Sequence, residues 1–261
     1  MHLADLVTRA VVGVVVALLV SLAGRRAHAL SRSGAVAGVI LGSVAITAGW
    51  SWGILLLSLF ASVTLLSRIR AAEKARRVGA IVEKGAERDA TQIIANGAVF
   101  TTAAFLSLVA PATGWFAIGA GALAFSAADT WATEIGTLSP GDPYSIIGGR
   151  VPVGTSGGVS LLGTLGAFGG AVFIAVEAMF AGWPVPFAGI VLGGIIAALT
   201  DSLIGATIQE RRWCDRCKKA TERSIHDCGT RTTINAGIGG LDNDAVNAAC
   251  SVIGALIALV V

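Results

Sequence analysis

Charged residues are scarce in this chain. Asp, Glu, Lys and Arg together make up 13% of its 261 residues, whereas an ordinary globular domain carries about 25%. Hydrophobic residues make up 54%, and the mean hydropathy is +0.78. Because runs of about 20 apolar residues can cross a bilayer, this composition excludes a typical soluble domain and predicts an integral membrane protein. The length suits one transmembrane domain over residues 1–261.

Other features that the sequence lacks exclude several classes of function. The net charge is only +3, which is small for a nucleic-acid binder, so no nucleic-acid partner is expected. The first apolar run lacks the small-residue exit of a cleaved signal peptide and leads into a basic loop. The chain has neither a Walker sequence nor the glycine-rich loop of protein kinases. These two common ways of binding a nucleotide are therefore excluded.

Long apolar segments predict an all-α fold, a polytopic helical bundle with about eight transmembrane helices. The 34 glycines suit close packing of such helices through small faces. The same kind of packing would allow copies of the chain to form a homo-oligomer. A weak sequence similarity between the stretches around Asp129 and Asp201 suggests internal repeats of the kind found in membrane folds. The predicted helices cover 3–24, 33–49, 52–67, 92–112, 114–137, 156–180, 185–209 and 241–261.

Basic residues occur in every second connection between these helices. The connections 49–51, 112–114 and 181–186 contain no charged residue, whereas the four intervening loops contain every Lys and Arg except Arg9. By the positive-inside rule those four loops are cytoplasmic and both chain ends lie outside. Most intramembrane polar residues then fall near the cytoplasmic ends of the helices, so we expect a site that faces the cytoplasm.

Three of the cytoplasmic segments have a distinct composition. The segment 68–91 is rich in Arg, Lys, Glu and Ala and contains no Pro, which predicts an amphipathic surface helix suited to anionic headgroups or phosphates. A solvated charged helix is the alternative. The segment 138–155 is a Gly/Pro-rich, turn-forming loop, and 210–233 is a Cys/His loop.

Polar residues in the helix over 114–137 recur at steps of three and one, so they share one helical face. Carboxylates at membrane depth are unfavourable unless they face a wet or metal-filled interior or have a partner. We therefore expect Asp129 and Glu134 to bind Mg²⁺, with Asp201 as a third ligand. The alternatives are an ion pair or hydrogen bonds inside the bundle. The stripe consists of Ser126, Asp129, Thr130, Thr133, Glu134 and Thr137.

The helix over 241–261 begins with another cluster of hard oxygen ligands. Asn243, Asp244 and Asn247 fall on one face at three- and four-residue spacing. Carboxylates and amides of this kind suit Mg²⁺ and the polar edge of a nucleotide. We expect Asp244 to join the magnesium ligands and the two asparagines to orient the nucleotide.

Two further groups predict phosphate binding. Arg88, Gln92 and Asn96 share one helical face that leads into the membrane, where a guanidinium could pair with the phosphate of a substrate. The stretch Thr155, Ser156, Gly157 and Gly158 is predicted to open a helix, whose free backbone N–H groups form an anion site. Arg150 could supply charge to the same anion and is the fourth predicted catalytic residue, beside Asp129, Glu134 and Asp201.

The loop 210–233 contains Cys214, Cys217, His226 and Cys228 in the pattern Cys-x₂-Cys-x₈-His-x-Cys. A cytoplasmic loop is in a reducing compartment, which argues against a disulfide. Three thiolates and an imidazole suit a structural zinc ion that would staple a short loop without its own core. Free thiols in a basic loop are the alternative.

Four motifs follow one another along the chain: Arg88-Asp-Ala-Thr-Gln-Ile-Ile-Ala-Asn-Gly97, Ala128-Asp-Thr-Trp-Ala-Thr-Glu-Ile-Gly136, Gly154-Thr-Ser-Gly-Gly-Val-Ser160 and Leu241-Asp-Asn-Asp-Ala-Val-Asn247. They resemble those of the membrane family that contains plant phytyl-phosphate kinase. The resemblance implies a kinase that uses CTP or another nucleoside triphosphate with Mg²⁺ to convert a membrane isoprenyl monophosphate to the diphosphate. The isoprenyl tail would lie between helices in the bilayer.

A membrane transporter with a cytoplasm-facing polar site is the alternative from another class. Against it, the predicted outer half of the bundle is nearly bare of polar residues, apart from Glu177. A transferase acting on CDP-alcohols would need a denser Asp motif on adjacent helical turns than this chain has.

The topology can be tested by labelling intact cells with a membrane-impermeant maleimide. A cysteine introduced as Trp50→Cys should react, because its connection is predicted to lie outside. A cysteine introduced as Trp213→Cys should react only after permeabilisation. Reaction at 213 without reaction at 50 would contradict the orientation.

Overall fold

The structure, a computed structural model, describes residues 3–78, 81 and 87–261. That part of the chain forms nine helices and five short strands. The helices are α1 (Leu3–Arg26), α2 (Arg32–Ala48), α3 (Trp50–Arg68), α4 (Ala71–Val78), α5 (Ala90–Val109), α6 (Gly114–Gly136), α7 (Leu161–Phe180), α8 (Phe187–Thr207) and α9 (Asn243–Val260). The strands are β1 (Tyr144–Ser145), β2 (Gly158–Val159), β3 (Arg211–Cys214), β4 (Lys219–Thr221) and β5 (Thr233–Ala236).

All helices except α4 match the predicted apolar segments, which confirms a polytopic helical membrane protein. Six of them are long and apolar enough to cross a bilayer, namely α1, α3, α5, α7, α8 and α9. Helix α2 is apolar but has 17 residues, and α6 has 23 residues. Large apolar side chains such as Leu161, Leu165 and Phe168 are exposed on α7, as expected for a surface that faces lipid.

Helix α6 lies at the centre of the bundle and packs against α3, α5, α7, α8 and α9. Its segment 119–128 is buried without interruption. Small residues let the neighbouring backbones come close. A Cβ atom added at Gly121 would lie 2.3 Å from the carbonyl oxygen of Gly254 in α9, and one added at Gly170 in α7 would lie 2.5 Å from that of Ala127.

The two ends of the bundle differ in chemistry. One end carries an aromatic cluster of Trp52, Phe100, Phe116 and Trp183, in which the ring centroids of Trp52 and Trp183 are 4.5 Å apart. The indole N–H of Trp183 donates a hydrogen bond of 3.0 Å to the hydroxyl of Ser51. The other end, here called the polar end, carries α4, the connections from α6 to α7 and from α8 to α9, and the starts of α2 and α5.

The bundle is helical as predicted, and the connections add short antiparallel strands that the sequence analysis did not predict. Strand β1 pairs with β2, and a second sheet has the order β4-β3-β5. The helix predicted over 156–180 begins only at Leu161. Ser160 precedes it, and its hydroxyl caps the helix by accepting a hydrogen bond of 3.1 Å from the backbone N–H of Gly163.

The predicted amphipathic helix over 68–91 is also shorter in the structure. Helix α3 continues to Arg68, and α4 covers only Ala71–Val78. Residues 79, 80 and 82–86, which include Lys84, lie outside the described residues. The side of the membrane that each end faces stays a prediction, as do the internal repeats.

Neighbouring glycines of α7 provide a matched test of the close packing around α6. Gly170→Ala should lower the free energy of unfolding by about 1–3 kcal/mol, because its Cβ has no room beside Ala127. Gly169→Ala should be neutral or stabilise the helix by up to about 1 kcal/mol, because its Cβ would lie 3.5 Å from Trp131, an ordinary contact. Thermal unfolding of the purified protein in detergent measures both, and equal stabilities would contradict the packing.

Candidate functional site

Two carboxylates from different helices meet near the polar end. Asp129 of α6 and Asp201 of α8 interact electrostatically with each other, and Asp201 also interacts with Glu222, which follows β4. Cys250 of α9 lies close enough to interact with both aspartates. The Oδ2 atom of Asp201 is buried and has no hydrogen-bond partner among the described residues. Carboxylates this close to one another repel unless a proton or a cation neutralises them.

Glu222 was not expected from the sequence, and the structure fixes it with two polar neighbours. The hydroxyl of Ser156 donates a hydrogen bond to the Glu222 carboxylate. The side-chain amide of Gln209 donates to the Ser156 hydroxyl at 3.0 Å and to Glu222 at 3.5 Å. Ser156, predicted to bind phosphate, is therefore in contact with a carboxylate. No local pattern marks Glu222, since it lies in a charged loop far along the chain from Asp129.

A polar cleft of about 190 Å³ lies beside these carboxylates. Glu222 belongs both to this cleft and to the group around Asp201, so the two regions are continuous. Hydrogen bonding from the backbone of Gly240 and from Arg212 lowers the pKa of Glu210. The cleft is lined by Gln209, Glu210, Arg212, Glu222, Ser224, Asp242 and Asn243.

The start of α9 brings the predicted nucleotide ligands to the same region. Asp242 caps the helix by accepting a hydrogen bond of 2.9 Å from the backbone N–H of Ala245. Asn243 lines the polar cleft, while Asp244 and Asn247 are buried. The Oδ1 atom of Asn247 has no hydrogen-bond partner within the described part of the chain.

Glu134 does not join the other carboxylates. It forms an ion pair with Lys74 of α4, whose ammonium group also donates a hydrogen bond of 2.6 Å to the carbonyl oxygen of Leu66. The side chains of Lys74 and Glu134 are only 10% and 20% exposed. Glu134 also interacts electrostatically with Arg88. The polar residues of α6 therefore lie in two different regions, because Asp129 interacts with Asp201 while Glu134 interacts with Lys74 and Arg88.

An apolar cavity of about 250 Å³ lies between α1, α2, α3, α5 and α6. Its walls are mainly Leu, Ile, Val and Gly residues, and its polar groups come from α1, α5, α6 and Arg88. The structure thus brings the three predicted substrate-binding residues, Arg88, Gln92 and Asn96, into one wall. The remaining polar wall residues are Ser21, Ser126 and Thr130.

Backbone hydrogen bonds fix Arg88 at this wall. Its N–H donates to the carbonyl oxygen of Ala29 at 3.0 Å, and its carbonyl oxygen accepts from Ser31 at 2.9 Å. The following residues, Asp89 and Gln92, form a reciprocal capping box at the start of α5. The Nη1 atom of Arg88 is buried and has no hydrogen-bond partner among the described residues.

Residues 155–158 do not open a helix as predicted, because they form turns before α7. The backbone N–H of Thr155 donates to Pro152, and that of Gly158 donates to Thr155, each at 3.1 Å. Gly157 has φ +80°, and a Cβ there would lie 2.5 Å from the backbone nitrogen of Ala206. Glycine at this position lets the loop pack against the end of α8.

Arg150 lies on the exposed hairpin formed by β1 and its connection to β2. Its guanidinium donates a hydrogen bond of 3.3 Å to the hydroxyl of Tyr144 and lies over that ring, 5.3 Å from its centroid. This hydrogen bond is the main cause that raises the pKa of Arg150. The described contacts of Arg150 therefore lie within its own hairpin.

The predicted zinc ligands come together at the polar end. One ligand atom from each of Cys214, Cys217, His226 and Cys228 lies within 4.8 Å of the others. Hydrogen bonding with Thr230 lowers the pKa of Cys228 to about 5. A hydrogen bond with Cys228 raises the pKa of Cys217 to about 11.

Comparison with known proteins adds independent information. The family model described as integral membrane protein DUF92 matches residues 15–255. Protein PGR of Arabidopsis thaliana is 26% identical over 271 aligned positions, which cover 92% of this chain and 91% of that protein. Protein VTE6, chloroplastic, of Arabidopsis thaliana is 31% identical over 191 positions, which cover 70% of this chain and 57% of that protein. No solved structure matches. The resemblance predicted from the four motifs is confirmed.

A double-mutant cycle tests whether Glu134 is the counter-ion of Lys74. Lys74→Met and Glu134→Gln should each lower the free energy of unfolding, by up to about 3 kcal/mol, because each leaves a largely buried charge without its partner. The double variant should lose less than the sum, with a coupling of at least about 0.5 kcal/mol. Additive losses in thermal unfolding would show that the two groups act independently and would return Glu134 to the candidate metal ligands.

Proposed function

The chain belongs to the integral membrane protein family DUF92, and from that membership we propose that it is a membrane kinase. It transfers a phosphoryl group from CTP or another nucleoside triphosphate to an isoprenyl monophosphate of the phytyl or geranylgeranyl type. The product is the isoprenyl diphosphate. The proposal extends the phytyl-phosphate kinase activity found in this family to the present chain.

The observation that carries the proposal is the apolar cavity with a basic residue in its wall. A branched hydrocarbon chain would be buried among the aliphatic side chains of α1, α2, α3 and α5. An isoprenyl phosphate has a matching distribution, with an apolar tail and one anionic head. Arg88 is the one basic residue among those that line the cavity.

Arg88 is suited to bind the phosphate of the acceptor. A guanidinium pairs with phosphate through two parallel N–H donors, and Nη1 of Arg88 has no hydrogen-bond partner among the described residues. Gln92 and Asn96 follow one and two helical turns further along the same wall. Their amide groups provide further polar contacts for the head of the lipid.

The donor is assigned to the polar cleft and the adjoining carboxylates. Asn243 and Arg212 line the cleft, and Asp129, Asp201 and Glu222 lie next to it. Hard oxygen ligands of this kind fit Mg²⁺, and the unpartnered Oδ2 atom of Asp201 supports a bound cation. Bound there, Mg²⁺ would neutralise the charge of the donor phosphates. Asp244, buried at the start of α9, completes the proposed set of ligands.

The reaction needs charge neutralisation and positioning from the protein more than proton transfer. An oxygen of the acceptor phosphate attacks the γ-phosphorus of the donor, the bond from that phosphorus to the β,γ-bridging oxygen breaks, and a nucleoside diphosphate leaves. The attacking oxygen is already anionic, so no strong general base is required. Arg88 offsets the repulsion between the two phosphate groups while the new bond forms.

The transporter alternative finds less support in the structure. A transporter needs a polar path to both ends of its bundle. Here the described end opposite the polar end contains the aromatic cluster around Trp52 and Trp183. The polar groups of the cavity and of the carboxylate region lie towards the polar end.

The proposed activity can be tested with purified protein, Mg²⁺, a panel of nucleoside triphosphates and a panel of isoprenyl monophosphates, with mass spectrometry of the lipids. The wild type should form a diphosphate. Asp129→Asn and Asp201→Asn should each lower turnover by about 100-fold or more, since each removes one charge-stabilising group at nearly constant size.

Glu177→Gln is the matched control, because Glu177 lies on α7 and accepts a hydrogen bond of 2.6 Å from Ser58, apart from the proposed site. Its turnover should stay within a few-fold of the wild type. Absence of any diphosphate from a folded wild type would contradict the kinase function. Full activity in both Asp variants would be compatible with the kinase function but would contradict the proposed location of the site.

A further inference from the structure

We propose that Cys214, Cys217, His226 and Cys228 bind one structural zinc ion, which holds the connection between α8 and α9 in its folded shape. Zinc binding does not depend on the proposed kinase activity. A second part of the proposal, that this ion maintains one wall of the donor cleft, does rest on that activity.

Two tight turns present the four ligands in pairs. Cys214 ends β3, and the backbone N–H of Lys218 donates a hydrogen bond of 2.8 Å to the carbonyl oxygen of Cys214 across the first turn. The second turn contains His226 and Cys228. It is closed by hydrogen bonds between Gly229 and His226 at 2.8 Å and between His226 and Thr230 at 3.0 Å. Cys-x₂-Cys on a turn between two short strands is a frequent zinc-binding arrangement.

The distances between the ligand atoms fit a tetrahedral metal centre. Zn–S and Zn–N bonds of about 2.3 and 2.0 Å place neighbouring ligand atoms about 3.5–3.8 Å apart in a tetrahedron. The Sγ atoms of Cys214 and Cys228 are 3.6 Å apart, and Nδ1 of His226 is 3.4 Å from Sγ of Cys228. A set of three thiols and one imidazole favours zinc over the harder cations.

Burial provides a second, independent observation. Cys214 is fully buried, and His226 is 6% exposed. The three cysteines of the cluster are free thiols. An imidazole is rarely buried next to a cluster of thiols unless a metal compensates for the lost hydration.

The three strands of the loop bury few side chains. Cys214 and Thr221 are the buried residues of its three strands, and all of β5 is exposed. A segment with so small an apolar core needs a staple, and metal binding supplies folding free energy directly. The same loop carries Arg212, Glu222 and Ser224 into the wall of the polar cleft. Loss of the ion should therefore loosen that wall.

Elemental analysis of the full-length protein, purified in detergent without chelator, tests zinc binding. The wild type should contain roughly one zinc ion per chain. Cys217→Ser should lose most of it, whereas Cys250→Ser should keep it, because Cys250 is buried in α9 and not part of the cluster. Equal zinc in both variants, or a folded wild type without zinc, would overturn the proposal.

Cobalt substitution keeps the test decisive if Cys217→Ser does not fold. Exchange of the wild type into Co²⁺ should produce the thiolate-to-cobalt charge-transfer absorption of a sulfur-rich tetrahedral site, and zinc should bleach it. Absence of that absorption would overturn the proposal. A zinc-loaded, folded protein without diphosphate synthesis would contradict only the kinase function, whereas an active protein without zinc would contradict only the zinc site.

Discussion

The backbone of α6 lies in direct contact with the backbones of neighbouring helices, and α3, α5, α7, α8 and α9 all pack around it. Glycine at positions 121, 170 and 254 removes the side chains that would keep α6 apart from α7 and α9. Dispersion and close packing hold such helices together where lipid tails already solvate apolar side chains. Because α6 is enclosed on most sides, its carboxylates interact with groups on other helices: Asp129 with Asp201 of α8 and Glu134 with Lys74 of α4.

The buried charged residues around α6 form two groups that differ in the sign of their charges. Lys74 and Glu134 form an ion pair, and Arg88 adds a positive charge that interacts with Glu134. Asp129 and Asp201 interact with each other, and Asp201 also interacts with Glu222, so that groups of like charge meet there.

The sequence predicted the helices well because apolar length is a strong signal in membrane proteins. It also predicted that Arg88, Gln92 and Asn96 would share a wall, since helical spacing alone places them on one face. The start of α7 was misplaced because glycine-rich stretches suit a turn as well as a helix start. Glu134 was grouped with Asp129 by spacing, but only tertiary packing shows that Lys74 of the predicted surface helix is its partner. Glu222 and Gln209 were missed because only tertiary packing brings them to Asp201.

Under the proposed function, helix α1 has a consequence for the exchange of lipid. It contributes Val16, Ala17 and Val20 to one wall of the apolar cavity, yet it packs chiefly against α2. Of the cavity walls, this one can therefore move with the smallest loss of packing. A hydrocarbon chain can enter sideways from the bilayer by displacing one peripheral helix, while α6 and the helices that carry the carboxylates stay in place. The rate of lipid entry would then depend on the small-residue contacts between α1 and α2, and mutations there would change that rate without altering the chemistry.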